Sequence, residues 1–220
     1  MKNKKLFKRG FLVFALLVFS LSLLFFCYKT ILIRAADYLA PERAGKADAV
    51  ILEGSGIITA KAVEVGLNLL SSGRANFFVL VNHEIEGEEI FAIPDYPLLV
   101  ANNLEALGLK KKQFEIITAF GKHPITLTEA ETVLSQISKK GIRSAILVTE
   151  SFHTRRSYWA YKRTGSYFGI EIIPCPYFPK YQKEMWWQQM EGIRDFYEES
   201  YKFIYYLLRG YLPLKSLFVT

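Results

Sequence analysis

The sequence predicts an α/β domain, a mostly parallel five-stranded sheet sandwiched in three layers, preceded by one N-terminal transmembrane helix. Short β-rich runs alternate with longer amphipathic stretches from residue 47 onward, the pattern of parallel strands joined by crossover helices. Gly73, Gly108 and Gly141 each follow a helical stretch where a left-handed C-terminal cap belongs. Ahead of all this, Gly10–Tyr28 is an uncharged run of 19 residues rich in Leu, Phe and Val.

That run, as a helix rising ~1.5 Å per residue, spans roughly the hydrocarbon thickness of a bilayer. It is longer than the apolar core of a secretory signal, and Lys29, Thr30 and Arg34 intervene before the small pair Ala35-Ala36, so it reads as an uncleaved anchor over residues 10–33. Residues 1–9 carry Lys2, Lys4, Lys5, Lys8 and Arg9, a basic cluster that the positive-inside rule keeps in the cytoplasm. The expected topology is a single pass through the cytoplasmic membrane, N-terminus inside, with the domain on the extracytoplasmic side. Residues 34–46 form a connector containing Pro41, and 47–220 the domain.

The formal charge of +7 is an anchor property. Seven of the 28 basic residues lie in the acid-free first 35 positions, leaving 21 to balance the 21 acids. A neutral domain lacks the cationic excess that phosphate-backbone binding demands, so nucleic acid is excluded as a partner and the lipid bilayer expected.

Strands are expected at Ala49–Leu52, Phe77–Val81, Phe114–Thr118, Ala145–Val148 and Glu171–Ile173, and helices at Thr59–Leu70, Pro97–Leu107, Thr128–Lys139 and Thr154–Arg163. The first domain helix presents Ala62, Val63, Gly66, Leu67 and Leu70 along one face. Trp186–Leu208 reads as a last amphipathic helix, aromatic and partly basic, suited to packing on the domain or to resting on a membrane interface. Cys27 lies in the anchor and Cys175 in the domain, so no disulfide framework exists; Cys175 reads as a small buried hydrophobe.

In an open parallel sheet, ligands bind beyond the carboxyl ends of the strands, so the loops there are the candidate site. The first is Glu53-Gly54-Ser55-Gly56, whose backbone N–H groups suit a phosphate or carboxylate. The second holds Asn82, His83 and Glu84, and the third Lys122 and His123. All three histidines thus fall after strands, but histidine favours polar loops anyway, and no metal site is assigned. Thr126-x-x-Glu129 and Thr128-x-x-Glu131 both fit a capping box at a helix start, with Glu129 also a candidate acid or base facing the crevice. The fourth loop, Thr149 to Arg156, joins Thr149 and Ser151 to a histidine that can transfer protons and two arginines that can grip an oxyanion. Adjacent arginines on a helix point apart; Arg156 is assigned to the crevice and Arg155 to the surface, solvated or paired.

The segment Ile146-Leu147-Val148-Thr149-Glu150-Ser151-Phe152-His153-Thr154-Arg155-Arg156-Ser157 resembles the signature of the YdcF, SanA and ElyC family of bacterial domains, a strand ending in Val-Thr followed by a histidine and then an arginine, here His153 and Arg156. The resemblance extends over residues 47–176, taking in Lys46-Ala47-Asp48-Ala49-Val50-Ile51-Leu52 before the glycine loop and Thr126-x-x-Glu129-Ala130. It departs at Val81-Asn82-His83-Glu84, where the family has Ser-Gly-Gly, at Asp95-Tyr96-Pro97 in place of Ser-Glu-Ala, and at Lys61 in place of arginine. The resemblance implies a Rossmann-like fold, membrane anchoring and a role in cell-envelope biogenesis; it supplies no defined reaction, and the cofactor is unknown.

Two functional expectations follow. In the first, the domain binds, and hydrolyses or transfers, a phosphate-bearing envelope precursor such as a lipid-linked sugar. His153, Arg156 and Glu129 then act catalytically, while Gly54, Ser55, Gly56, Thr126, Thr149, Ser151, Asn82 and His83 line the anionic ligand. In the second, the same crevice is a noncatalytic module for a nucleotide-like ligand or a protein that regulates envelope biogenesis.

Overall fold

A computed structural model of the chain describes residues 2–53, 59–85 and 96–218. Its elements are α1 (Lys2–Leu39), β1 (Ala49–Leu52), α2 (Ala60–Ser71), β2 (Phe77–Ile85), α3 (Tyr96–Ala106), β3 (Phe114–Gly121), α4 (Ile125–Ser138), β4 (Ser144–Glu150), α5 (Thr154–Phe168), β5 (Glu171–Tyr177) and α6 (Met190–Leu208). Short 3-10 turns at Lys111–Gln113, Ser151–His153, Lys183–Gln188 and Leu214–Leu217 complete the described elements.

The strands form one sheet in the order β3-β2-β1-β4-β5, and every pair is parallel. This is a Rossmann-like arrangement. Its strand order reverses between β1 and β4, which opens a crevice at their carboxyl ends. Strand parity sorts the core into two layers. Ile51, Val79, Val81, Ile117 and Leu147 face Val133, Leu134, Trp159 and Phe203 of α4, α5 and α6. Val50, Leu52, Phe78, Leu80 and Val148 face Ala62, Leu69, Val100 and Leu104 of α2 and α3.

The amino ends of β1 and β4 are tied by Asp48, whose Oδ2 accepts from Arg143 N–H at 2.8 Å and Ser144 N–H at 2.9 Å. Those backbone donors, led by Arg143, hold the Asp48 carboxyl below its ordinary value. On the outer edge, β5 carries Pro174 and Pro176, residues that a central strand rejects. Arg43 closes that edge, its N–H donating to Pro174 O at 3.1 Å and its guanidinium to Ile172 O at 2.5 Å.

Several element boundaries differ from the sequence expectation for a common reason. Strands β2 and β3 pair rung by rung from Phe78↔Phe114 to Ile85↔Gly121, so Asn82, His83 and Glu84 are in the ladder and not in a loop. Ladder hydrogen bonds are made by the backbone and do not stop where the side chains turn polar. Helix α4 begins at Ile125 with Pro124 at its N-cap, three residues before the expected start, so neither threonine is the cap of a capping box. In α2 the buried residues are Ala62, Gly66 and Leu69, with Val63, Val65 and Leu70 partly buried against the same layer, so the inner face takes in Leu69 beside the expected Leu70. The expected last helix is broken into the Lys183–Gln188 turn and α6.

Helix α1 runs on to Leu39, so the first part of the expected connector is helical, and it is bent by 48° between Gly10–Leu23 and Phe25–Leu39. No single helix among the described residues is long and apolar enough to cross a membrane; the two arms pass together as a bent pair. Phe11, Phe14, Phe19, Phe25 and Phe26 along these arms are exposed. Only the last turns are covered: Ala36, Leu39 and Ala40 pack against Phe152, Tyr181 and Trp186.

Gly66 marks the tightest approach of α2 to the sheet, since a Cβ built there would lie 2.2 Å from the ring of Phe78. Gly66→Ala is therefore expected to lower stability by about 1–3 kcal/mol, through displacement of Phe78, as read from denaturant unfolding of the full chain in detergent.

Candidate active site

The crevice between β1 and β4 is where two distant pieces of chain meet. Glu53 is the residue after β1, and its N–H donates to Val148 O of β4 at 3.1 Å. Beyond β4 the chain turns sharply at Ser151, a buried residue with a left-handed φ of 51°, before α5 begins. A non-glycine side chain in that region costs on the order of 1–3 kcal/mol and marks a turn held by its surroundings. Thr149 holds it from within: its hydroxyl pairs with Thr154 Oγ1 at 2.7 Å, and Thr154 donates to Ser151 O at 2.7 Å. Thr149 and Ser151 are thereby buried parts of the turn.

The turn delivers His153 to Glu53. Its Nε2 lies 3.0 Å from Glu53 Oε1, and its Nδ1 lies 3.4 Å from Glu199 Oε2 on α6. The imidazole is the most open member of the group, its side chain 22% exposed against 5% for Glu53 and 11% for Glu199. Burial opposes a charged imidazole, but the Glu53 and Glu199 carboxylates outweigh it together with the opposing Arg156 charge, and raise its pKa to about 9. His153 is thus an imidazolium at neutral pH.

Arg156 is turned inward. Its Nε and Nη2 donate to Glu199 at 2.9 and 3.0 Å, and its Nη1 donates to Thr126 Oγ1 at 2.8 Å. Its Nη2 also lies 2.8 Å from His153 Nδ1, a contact that a neutral imidazole protonated on Nε2 accepts and an imidazolium resists. The guanidinium therefore works against the protonation that the carboxylates favour. Despite its own burial, Glu199 is driven well below the ordinary carboxylate range by His153 and Arg156. Glu53, Glu199, Arg156 and protonated His153 sum to zero formal charge, which is what makes the group tolerable in a half-buried crevice.

Glu129 belongs to a deeper pair. It is 3% exposed, accepts from Tyr161 OH at 2.7 Å and lies 3.2 Å from His83 Nδ1. Burial pushes its pKa up, against the pull of His83 and Tyr161. Asn82 points to the other face of the sheet, its Nδ2 3.4 Å from Thr118 Oγ1, and is parted from His153 by strand parity.

The sequence reading thus meets mixed outcomes. His153, Arg156, Thr126, Glu129 and His83 gather on the α4–α6 side of the sheet, while Asn82 lies on the opposite side. His123 is exposed beyond β3, apart from the other two histidines. Gly54, Ser55 and Gly56 lie outside the described residues. No group of three or more His, Cys, Asp or Glu side chains among the described residues could hold a metal ion; Glu53 and Glu199 approach opposite nitrogens of the one ring. Arg155 is a correction: it is 1% exposed, not a surface residue, and ties the end of α1 to the Leu214–Leu217 turn. It donates to Tyr38 O of α1 at 2.8 Å and twice to Ser216 O, with the Tyr38 ring 3.7 Å beneath its guanidinium.

Three members of the site were not singled out from sequence: Glu53, Glu199 and Ser157, whose hydroxyl donates to Glu53 Oε2 at 2.5 Å. For Glu199 a signal existed. It shares the buried face of α6 with Phe203 and Tyr206, and a lone acid on the apolar stripe of an amphipathic helix demands a buried cationic partner. Comparisons of the chain with models of protein families, with curated proteins and with solved structures find no match.

Two outcomes follow from this geometry. Arg156→Met is expected to cost about 3–5 kcal/mol, because it strands the Glu199 carboxylate, and adding Glu199→Gln should return much of the loss in a double-mutant cycle. The raised His153 pKa makes its contribution fully present below pH 6.5 and lost as pH rises through about 9. Unfolding free energy should accordingly fall by on the order of 3 kcal/mol across that window, and the fall should vanish in His153→Gln.

Proposed function

We propose that the chain is a membrane-anchored extracytoplasmic domain whose crevice binds a phosphate-bearing cell-envelope precursor and hydrolyses or transfers it, with His153 moving the proton. The observation that carries the reading is the solvent-open His153, 3.0 Å from Glu53 at the point where strand order reverses, with a pKa raised to about 9. As water or an acceptor hydroxyl attacks phosphorus and the bond to the leaving oxygen breaks, that oxygen takes the Nε2 proton of His153 in place of Glu53, which holds the cation until then. Glu199 and Arg156 orient the ring. Because the Arg156 donors are already engaged, an incoming oxyanion meets that guanidinium only by displacing Glu199. The resemblance of residues 146–157 to the YdcF, SanA and ElyC family supports an envelope context.

Anchoring in the cytoplasmic membrane is part of the proposal. It is supported by the exposed apolar side chains from Phe11 to Phe26 and by the basic cluster that precedes them. The full chain should resist carbonate extraction from membranes, and protease added to spheroplasts should remove the domain.

The second reading, a noncatalytic module for a nucleotide-like or protein ligand, is favoured by the burial of Arg156 and Glu129, two residues assigned to chemistry from sequence. The full chain in detergent, tested on phosphate monoesters and on diphosphate-linked lipids, separates the two. In the catalytic reading His153→Gln lowers turnover by roughly 10²–10⁴-fold, with a smaller effect on substrate affinity. Ligand-induced melting shifts with no turnover, unchanged in His153→Gln, would make the crevice a binding site and discard the catalytic assignment.

A further inference from the structure

The direction in which α1 leaves the domain relates the crevice to the membrane. Helix α5 starts at the carboxyl edge of the sheet, directly after β4, and descends toward the amino edge. Helix α6 runs beside it in the same sense: Glu199 meets Arg156 in the first turn of α5, and Gly210 and Tyr211, beyond the end of α6, accept from Arg163 further down. The end of α1 runs beside α6 in the same sense again. Trp186 donates to Leu32 O at 3.1 Å, just ahead of α6, and Tyr38 meets the Phe203 ring at 6.3 Å, halfway along it. The chain before Leu32 therefore leaves past the carboxyl edge, on the side where the crevice opens.

Levels along these parallel helices follow from the rise per residue. With Tyr38 beside Phe203, Glu199 is level with about residue 34 and Met190 with about residue 25, so His153 lies roughly 10 Å short of Tyr28, where the uncharged run ends, and Met190 lies just past it. Met190 is 75% exposed at that level, next to the half-buried Trp187 and the exposed Met185, which borders an open groove with Phe178 and Gln189. Tryptophan at the end of a charge-free span is characteristic of the bilayer interface, and the headgroup layer is itself about 5–8 Å deep.

We infer that the rim formed by Met185, Trp187 and Met190 rests in the headgroup layer of the bilayer entered by α1, so that the crevice opens toward lipid headgroups. The inference rests on the anchoring reading given under Proposed function, and its partner is the lipid surface itself.

The test uses the full chain in phosphatidylcholine vesicles whose acyl chains are brominated near the headgroup. Trp159 and Trp186 are buried in the domain, leaving Trp187 as the tryptophan to be quenched. Trp187→Phe should abolish most of the quenching, and Met190→Trp in that background should restore it, a gain of signal that loss of folding does not mimic. Lys139→Trp in the same background, at the amino edge beyond α4, should stay unquenched. Quenching that survives Trp187→Phe, or that is greater at position 139 than at 190, overturns the inference while leaving the anchor intact. Failure of the full chain to float with the vesicles overturns the anchor and the inference together. Protection of residue 190 that grows with protein concentration and not with lipid assigns the rim to a second copy of the chain and also overturns it.

Discussion

The contact between Glu53 and His153 depends on the parallel pairing of β1 with β4, and the rest of the site depends on that contact. Two residues a hundred positions apart come within 3.0 Å because both strands end at the same edge, where the sheet order reverses. At the opposite edge, Asp48 fixes the register with two backbone hydrogen bonds to Arg143 and Ser144. A one-residue slip of β1 against β4 would send Glu53 to the α2–α3 face and leave His153 without its carboxylate.

Charge balance then shapes the helices around the crevice. An imidazolium and a guanidinium on successive turns of chain repel, and the Glu199 carboxylate from α6 is what lets both be buried together. A buried ionic group of this kind is a weak source of net stability, since desolvation consumes much of the Coulomb attraction. Its effect falls on His153, which the two carboxylates keep protonated and hold in one orientation.

The arginine doublet divides labour across the two sides of α5. Arg156 faces the crevice, while Arg155 binds the backbone of Tyr38 and Ser216 and lies on the Tyr38 ring. Between them Phe152, adjacent to His153, packs on Phe178, Tyr181, Trp186 and Phe196, the aromatic seat against which Ala36 and Ala40 of α1 lie. The end of α1, the C-terminal turn and the site loop are therefore parts of one packed unit.

Local pattern was enough to read the α/β class, the five strands and their intervening helices, the apolar N-terminal run and the turn that carries His153, because periodicity, glycine caps and charge-free length are properties of neighbouring residues. The polar ends of β2 and the start of α4 were misread for the same reason: a backbone ladder and a helix N-terminus settled by Pro124 took precedence over side-chain pattern. Which polar groups meet was decided by tertiary structure alone. Strand parity sent Asn82 and His83 to opposite faces, packing buried Arg155, and α6 folded back to bring Glu199 to His153 across 46 residues of chain. Pairings at such separations follow from strand order and helix packing, which no short window of sequence contains.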